Sequence, residues 1–292
     1  MTGPRSAMKG SRMRIALAQV DCTLGDTDAN VERATAAIAT ARAGGADLVV
    51  FPELSLCGYS VGEVEQDLGI YADDPRIVRL AKEAGPMSVL VGFSEGGSGL
   101  HTYNSAAYLE SGGLLHVHRK LYLPTYDIFE ERKHFSPGQQ MRAFDTRHAR
   151  TAILTCNDAW QPQLAFVAVQ DGARVLLMPT SSAQSLFPER YDSPTYWQDI
   201  TRFYGRMFQT FVVFVNRVGA EGKLKFWGGS HVVDPWGNLV AEAPLDEEAL
   251  LFADIDLATV RRRRREVPLI KEARLGMVLR EVHRLVDEGG DL

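Results

Sequence analysis

Short apolar runs recur along this chain, and helically spaced segments separate several of them. "MRIALAQVD" (13–21), "ADLVVFPE" (46–53), "SVLVGF" (88–93), "RVLLMP" (174–179) and "FVVFVNRVG" (211–219) are rich in Val, Leu, Ile and Phe. Runs of this length read as strands buried on both faces. Between the first two, residues 28–43 place Val31, Ala34, Ile38 and Ala41 at helical spacing. Asp28 or Asn30 stands where an N-cap belongs, and Gly44-Gly45 ends the pattern. "DPRIVRLAKEA" (74–84) predicts a second helix with Pro75 in its first turn. Further helices are expected near 160–170 and 194–210. Strand, helix, strand at this spacing is a βαβ-type beginning, and the two halves repeat it roughly. The pattern predicts one α/β domain with helices packed on sheets.

Between these elements lie the strands "YNSAAYLE" (103–110), "LLHVHRK" (114–120), "TAILTC" (151–156) and "ALLFADID" (249–256), with a hairpin in "SHVVDPWGNLVAEA" (230–243). Residues 121–148 read as a long polar and aromatic loop, and long ordered loops often carry function. The first twelve residues, "MTGPRSAMKGSR", read as a disordered tail, with Met8 and Met13 as alternative starts. No run approaches the length of a membrane span or forms a signal peptide. A net charge of -5 gives no general attraction to nucleic acid or anionic lipid. Only three cysteines occur, Cys22, Cys57 and Cys156, too far apart for a CxxC site. Such sparse use fits a reducing compartment, so a cytoplasmic location is expected.

Three apolar runs end on a reactive group: "LVVFPE" on Glu53, "LLHVHRK" on Lys120 and "AILTC" on Cys156. Singly, each fits an ordinary reading: a strand-end charge, a solvated lysine, a space-filling thiol. Together they form a coherent set. A carboxylate can take the thiol's proton, and the sulfur can then attack an amide carbon. A lysine ammonium and the N–H after the cysteine can stabilise the oxyanion. The carboxylic acid can protonate the departing amine and later activate water. No metal or organic cofactor is needed.

With these residues in view, the chain resembles the nitrilase, or carbon–nitrogen hydrolase, superfamily. The matching pieces are "RIALAQVDCTLGD", "GADLVVFPELSLCGY", "HRKLYLPTYDIFEERKHFSPG", "TAILTCNDAW", "DGARVLLMPTSSA", "VFVNRVG" and "FWGGSHVVDPWGNLVAE", in family order from about residue 13 to 256. The resemblance implies a four-layer α-β-β-α sandwich, commonly paired into dimers. It implies Glu53 as general base, Lys120 as oxyanion-stabilising lysine and Cys156 as nucleophile. "KLYLPTYDIFEERKHF" is most similar to the glutaminase domain of glutamine-dependent NAD synthetases. There Glu131 resembles a second, supporting glutamate, and Tyr126 and Phe129 fall in the segment that lines the amide pocket. Asn157 is expected to face the substrate, and Ser181 and Ser182 lie where the pocket wall begins.

Some features depart from that pattern. Asn157 stands where glutaminase-type members carry an acid, which puts glutamine itself in doubt. Asp158 is expected to cap a turn rather than act on substrate. Gln209 replaces an acidic residue of an Arg-x-x-Glu-Asn segment, and Arg206 is expected to be structural. No ATP-using domain with a phosphate-binding loop is found, since "GAEGK" (219–223) lacks the P-loop spacing. His116 and His118 share a strand face, but no third metal ligand sits at useful spacing, so they are expected to be structural. Cys22 and Cys57 are expected to be structural too, with Cys57 near the mouth of the cleft. "RRRRR" (261–265) opens a C-terminal segment, and its apolar Leu275, Val278, Leu279 and Val282 predict a helix with a buried stripe.

The expected organisation is therefore a tail (1–12), a hydrolase domain (13–260) and a segment (261–292) packing on the subunit or its dimer partner. The expected activity is hydrolysis of a small linear carboxamide through a thioester, with release of ammonia. N-carbamoyl hydrolysis and nitrile hydrolysis would use the same three residues. A glutaminase-like subunit or non-catalytic partner of a separate synthetase is the alternative of another class. The expected partners are a small-molecule amide and further copies of the chain, as a homodimer or higher homo-oligomer, with neither nucleic acid nor membrane.

Overall fold

A computed structural model describes residues 11–125, 129–185 and 187–289. The first half runs β1 (Arg12–Gln19), α1 (Thr27–Ala43), β2 (Leu48–Val50), α2 (Pro75–Ala84), β3 (Ser88–Gly96), β4 (Thr102–Glu110) and β5 (Gly113–Arg119). The second runs β6 (Phe144–Asp145), β7 (Arg150–Ile153), α3 (Pro162–Gln170), β8 (Val175–Thr180), α4 (Ser193–Phe208), β9 (Phe211–Asn216), β10 (Val218–Glu221), β11 (Leu224–Trp227), β12 (His231–Val233), β13 (Leu239–Glu242) and β14 (Ala249–Asp256). Two helices follow, α5 (Ala258–Glu266) and α6 (Leu275–Asp287).

The strands form two six-stranded mixed sheets, ordered β14-β1-β2-β3-β4-β5 and β13-β12-β9-β8-β7-β6, with β10 and β11 as a separate hairpin. Side-chain alternation sorts each strand between two cores. From β1, Ile15 and Leu17 point between the sheets, where they join Val50, Leu90, Ile153, Leu177 and Val213. Ala16 and Ala18 point the other way, onto Val31 and Ile38 of α1 and Leu80 of α2. On the second sheet, Leu176, Met178 and Phe214 face Leu164 of α3 and Trp197 and Tyr204 of α4. Three apolar layers between four layers of elements make the expected α-β-β-α sandwich.

Local details sharpen the sequence reading. Asp26, not Asp28 or Asn30, caps α1, accepting from the Ala29 N–H at 3.0 Å. Asn30 is buried instead, bonding Thr23 on both its N–H and its carbonyl at 2.8 Å. Pro75 does open α2, behind an Asp74 cap. The run read as one strand over 211–219 divides into β9 and β10 around Arg217, which is fully buried. The hairpin over 230–243 forms as β12 and β13. "RRRRR" lies on α5, which crosses residue 260. Its Arg264 is tucked in, donating to the carbonyls of Ala173, Gln209 and Phe208. Arg206 donates to the Trp236 carbonyl in the hairpin turn. Gln209 donates to the Val267 carbonyl at 2.7 Å, tying α4 to the chain beyond α5. By contrast, α6 buries none of its residues.

Two glycines let the site assemble. A Cβ on Gly92 of β3 would lie 2.3 Å from the Leu54 nitrogen and 2.6 Å from the Pro52 carbonyl oxygen. Gly138 would meet the Arg119 carbonyl oxygen at 2.2 Å. Each glycine admits the backbone carrying a reactive residue, Glu53 in the first case and Lys120 in the second.

Candidate active site

None of the three reactive groups sits on a strand proper. β2 ends at Val50, and Glu53 lies on the turn beyond it, held by the close approach to Gly92. Lys120 follows β5 directly. β7 ends at Ile153, and Cys156 begins a short 3₁₀ turn, Cys156–Trp160. Its φ is 46°, a left-handed conformation that costs a non-glycine residue about 1–3 kcal/mol. Such strain persists only where neighbours enforce it. Here Asp158 does so: one carboxylate oxygen accepts the N–H groups of Leu121 and Tyr122, both at 2.9 Å. The other accepts Thr155 N–H at 3.2 Å and meets His118 Nε2 at 2.8 Å. Asp158 therefore caps the turn, as expected, and also ties the Cys156 turn to the segment after Lys120.

Glu53, Lys120 and Glu131 meet in a buried polar cluster. Lys120 Nζ donates to Glu53 Oε1 and to Glu131 Oε1, each at 2.6 Å. Asn104 Nδ2 also donates to Glu53 Oε1, at 2.8 Å. Glu53 Oε2 takes the Ser181 N–H at 2.8 Å, and the Ser181 hydroxyl bonds the Glu53 carbonyl at 2.8 Å. Tyr59 completes the set, its hydroxyl donating to Glu131 Oε1 at 2.5 Å.

Burial and charge set the ionisation. Burial alone would lower the Lys120 ammonium, but Glu131 and Glu53 outweigh it and hold the pKa well above the ordinary lysine value. Burial raises Glu131 to about 7, against the pull of Lys120. Burial and the Glu53 charge push the Cys156 thiol well above the usual cysteine range. The resting sulfur is thus a protonated thiol, and its reactivity depends on a base that can remove the proton.

Cys156 opens into a narrow cavity of about 20 Å³. Phe129, Trp160, Tyr191 and Trp197 give it an aromatic wall, and Asn157, Ser182, Gln184 and Ser193 give neutral polar groups. No lining residue among those described carries a formal charge. The Asn157 amide donates to the Tyr122 carbonyl at 3.3 Å. Ser182 Oγ is held by the Trp197 and Trp227 indole N–H groups at 3.0 and 3.2 Å. Phe129, Asn157 and Ser182 therefore lie on the cavity, whereas Ser181 is spent on Glu53. Tyr126 falls outside the described residues.

Asn104, Tyr59, Trp160 and Tyr191 were not singled out from sequence. The signal for Asn104 is slight, an amide beside Ser105 at the polar start of a strand, TYNSAAYLE, whose middle is apolar. Cys57 is buried against Gly58 and its thiol is pushed up to about 12 by burial, while Cys22 rises to about 11 for the same reason. His116 stacks on Phe144 at 4.2 Å and His118 is taken by Asp158. No cluster of metal-ligating side chains occurs among the described residues. Nor is any described helix long and apolar enough to cross a membrane.

The carbon-nitrogen hydrolase profile matches residues 14–265. The glutamine-dependent NAD(+) synthetase of Thermotoga maritima is 32% identical over 249 residues, which is 84% of this chain and 42% of the synthetase. The chain thus spans less than half the length of that relative. The N-carbamoylputrescine amidase of Solanum lycopersicum is 30% identical over 275 residues, covering 88% of this chain and 91% of the amidase. Among solved structures, a carbon-nitrogen hydrolase from Helicobacter pylori superposes with a TM-score of 0.82 at 25% identity, over 91% of this chain and 96% of its own. An amidase from Nesterenkonia sp., solved with acrylamide, gives 0.78 at 25% identity, over 97% and 99%. A family match over most of the chain and a buried Glu-Lys-Glu cluster beside a turn-borne thiol point the same way: the chain belongs to the carbon-nitrogen hydrolase family.

Proposed function

We propose that the protein hydrolyses a small, uncharged carboxamide through a thioester on Cys156. The observation that carries this reading is the shared ammonium: Lys120 joins Glu53 to Glu131 beside a strained, turn-borne thiol. Glu53 accepts the Cys156 proton as the sulfur bonds to the amide carbon. Two Lys120 N–H groups are taken by carboxylates, and the third, with the Asn157 backbone N–H, meets the developing oxyanion. Glu53 returns the proton to nitrogen, the carbon–nitrogen bond breaks and ammonia leaves. Glu53 then deprotonates water, which adds to the thioester carbon and releases the acid and the thiol. Glu131 keeps Lys120 charged and aimed.

The aromatic and neutral walls favour an uncharged acyl group, because a buried charge without a partner is costly. Ammonia release from acetamide, propionamide, L-glutamine, N-carbamoylputrescine and propionitrile tests this. The short amides should exceed L-glutamine by about tenfold or more in kcat/KM. A preference for L-glutamine would favour a glutaminase-like subunit instead. A preference for N-carbamoylputrescine would favour the second reading, which draws on the near full-length match to a plant N-carbamoylputrescine amidase.

The same proposal includes a homo-oligomer. On α6, Leu275, Leu279, Val282, Leu285 and Val286 are all exposed, and an apolar stripe of this kind normally lies against another surface. Light scattering at micromolar concentration should give at least twice the mass of one chain. Leu279→Asp with Val282→Asp should lower that mass, and a wild-type monomer would overturn the idea.

A further inference from the structure

Tyr59 has no part in the steps above, yet it makes the shortest hydroxyl contact to the buried cluster. Its OH lies 2.5 Å from Glu131 Oε1, the same oxygen that takes Lys120 Nζ at 2.6 Å. The position is enforced from both sides. Its backbone N–H donates to the Glu221 carboxylate at 3.0 Å, and Glu221 is ion-paired with the buried Arg217. Its ring packs edge-on against Phe129 and Phe226, each with centroids 6.0 Å away. Arg217 in turn stacks over Phe226 at 4.2 Å.

A second cavity, of about 350 Å³, reaches Tyr59 and Glu131 between Ser60–Glu63 and Glu130–Phe135. Among the described residues it shares no lining residue with the cavity at Cys156. Glu131 thus borders this recess on one side and the Lys120–Glu53 pair on the other.

We propose that Tyr59 is a positioning residue whose hydroxyl holds Glu131 as a carboxylate facing Lys120, and so sets the acid limit of the reaction. The groups around Glu131 are Lys120 after β5, Tyr59 and Glu53 after β2, Asn104 on β4 and Cys156 after β7. On its own turn Glu130, Lys133 and His134 lie outward on the recess. Lys120 and Tyr59 favour the charged form, while burial and Glu53 oppose it. With Glu131 rising to about 7 under that balance, one hydrogen bond decides its state near neutrality. A protonated Glu131 releases its hold on Lys120, which then turns to Glu53 alone, weakening both the base and the oxyanion donor.

Tyr59→Phe keeps the ring packing and removes only the hydroxyl. With carboxyl-¹³C glutamate incorporated, NMR gives the Glu131 titration, assigned by the signal lost in Glu131→Gln. The midpoint should move up by about one pH unit in Tyr59→Phe, since a hydrogen bond to a charged group carries about that much. This measurement needs no substrate, so it stands or falls separately from the hydrolase reading on which the proposal's kinetic arm rests. In that arm, the acid limb of kcat for the best amide should rise by the same amount, with KM little changed and rates converging above pH 9. Tyr59→Phe should add nothing in a Glu131→Gln background. An unmoved midpoint, or a loss of rate equal at every pH, would overturn the proposal and leave Tyr59 a packing residue.

Discussion

Replacing Cys156 by alanine should abolish ammonia release while leaving the fold intact. Alanine fits the same backbone and removes only a sulfur at the mouth of a cavity. Loss of a covalent nucleophile leaves binding and oxyanion stabilisation without a bond-forming group, so the expected fall is about four orders of magnitude or more. Two measurements separate mechanism from damage. Wild-type protein quenched during turnover should carry an acyl adduct on the peptide containing Cys156, and Cys156→Ala should carry none. Thermal unfolding of the variant should match wild type closely. Turnover persisting in Cys156→Ala would remove the thioester from the mechanism altogether.

The second large effect is expected at Lys120, and it joins stability to pH. Lys120→Met keeps most of the side-chain volume but leaves Glu53 and Glu131 facing each other in a buried site. Breaking a buried ion pair from one side costs about 3–5 kcal/mol. The rate should fall by at least roughly 10²–10³-fold through the lost oxyanion donor alone. The sign of the pH effect follows from Glu131. Its folded pKa, about 7, already exceeds the ordinary value of 4.5, and removing the ammonium raises it further. The folded variant therefore holds a proton that the unfolded chain gives up. Stability is fully present below the ordinary glutamate value and declines as pH rises through the raised folded value. Denaturant unfolding should accordingly show a smaller deficit against wild type at pH 5 than at pH 8. A deficit independent of pH would mean that the two carboxylates are not what the ammonium neutralises.

The layered fold was legible because burial on both faces leaves a local signature. β8 and β9 are nearly unbroken apolar runs, β1 holds another over Ile15–Ala18, and alternation within them assigns the apolar side chains to a core. Glu53, Lys120 and Cys156 stood out because each follows such a run at once. What sequence could not give was long-range geometry. Asn104 and Tyr59 join the cluster only because β4 and the turn after Glu53 pass one another in space. Ser181 was expected on the pocket wall, but the end of β8 runs beside the Glu53 turn and its hydrogen bonds go there. The N-cap of α1 fell two residues early because Asp26, Asp28 and Asn30 all suit a helix start, and Asn30 is drawn into the loop at Thr23. The β10–β11 hairpin escaped notice because Arg217 interrupts β9 with a side chain that pairs far from its own strand. The stripe on α6 was visible as periodicity, but nothing in periodicity says which surface it meets.

The proposed reacting groups come from both sheets: Glu53 and Lys120 follow strands of the first, and Cys156 follows β7 of the second. Either sheet can close its own hydrogen-bond ladder without bringing the thiol to its base. That meeting requires Ile15, Leu17, Val50 and Leu90 to lock against Ile153, Leu177 and Val213 across the seam. Competence therefore depends on the packing of one sheet against the other, so a substitution at this seam, far from any polar group of the cluster, would loosen the meeting of thiol and carboxylate.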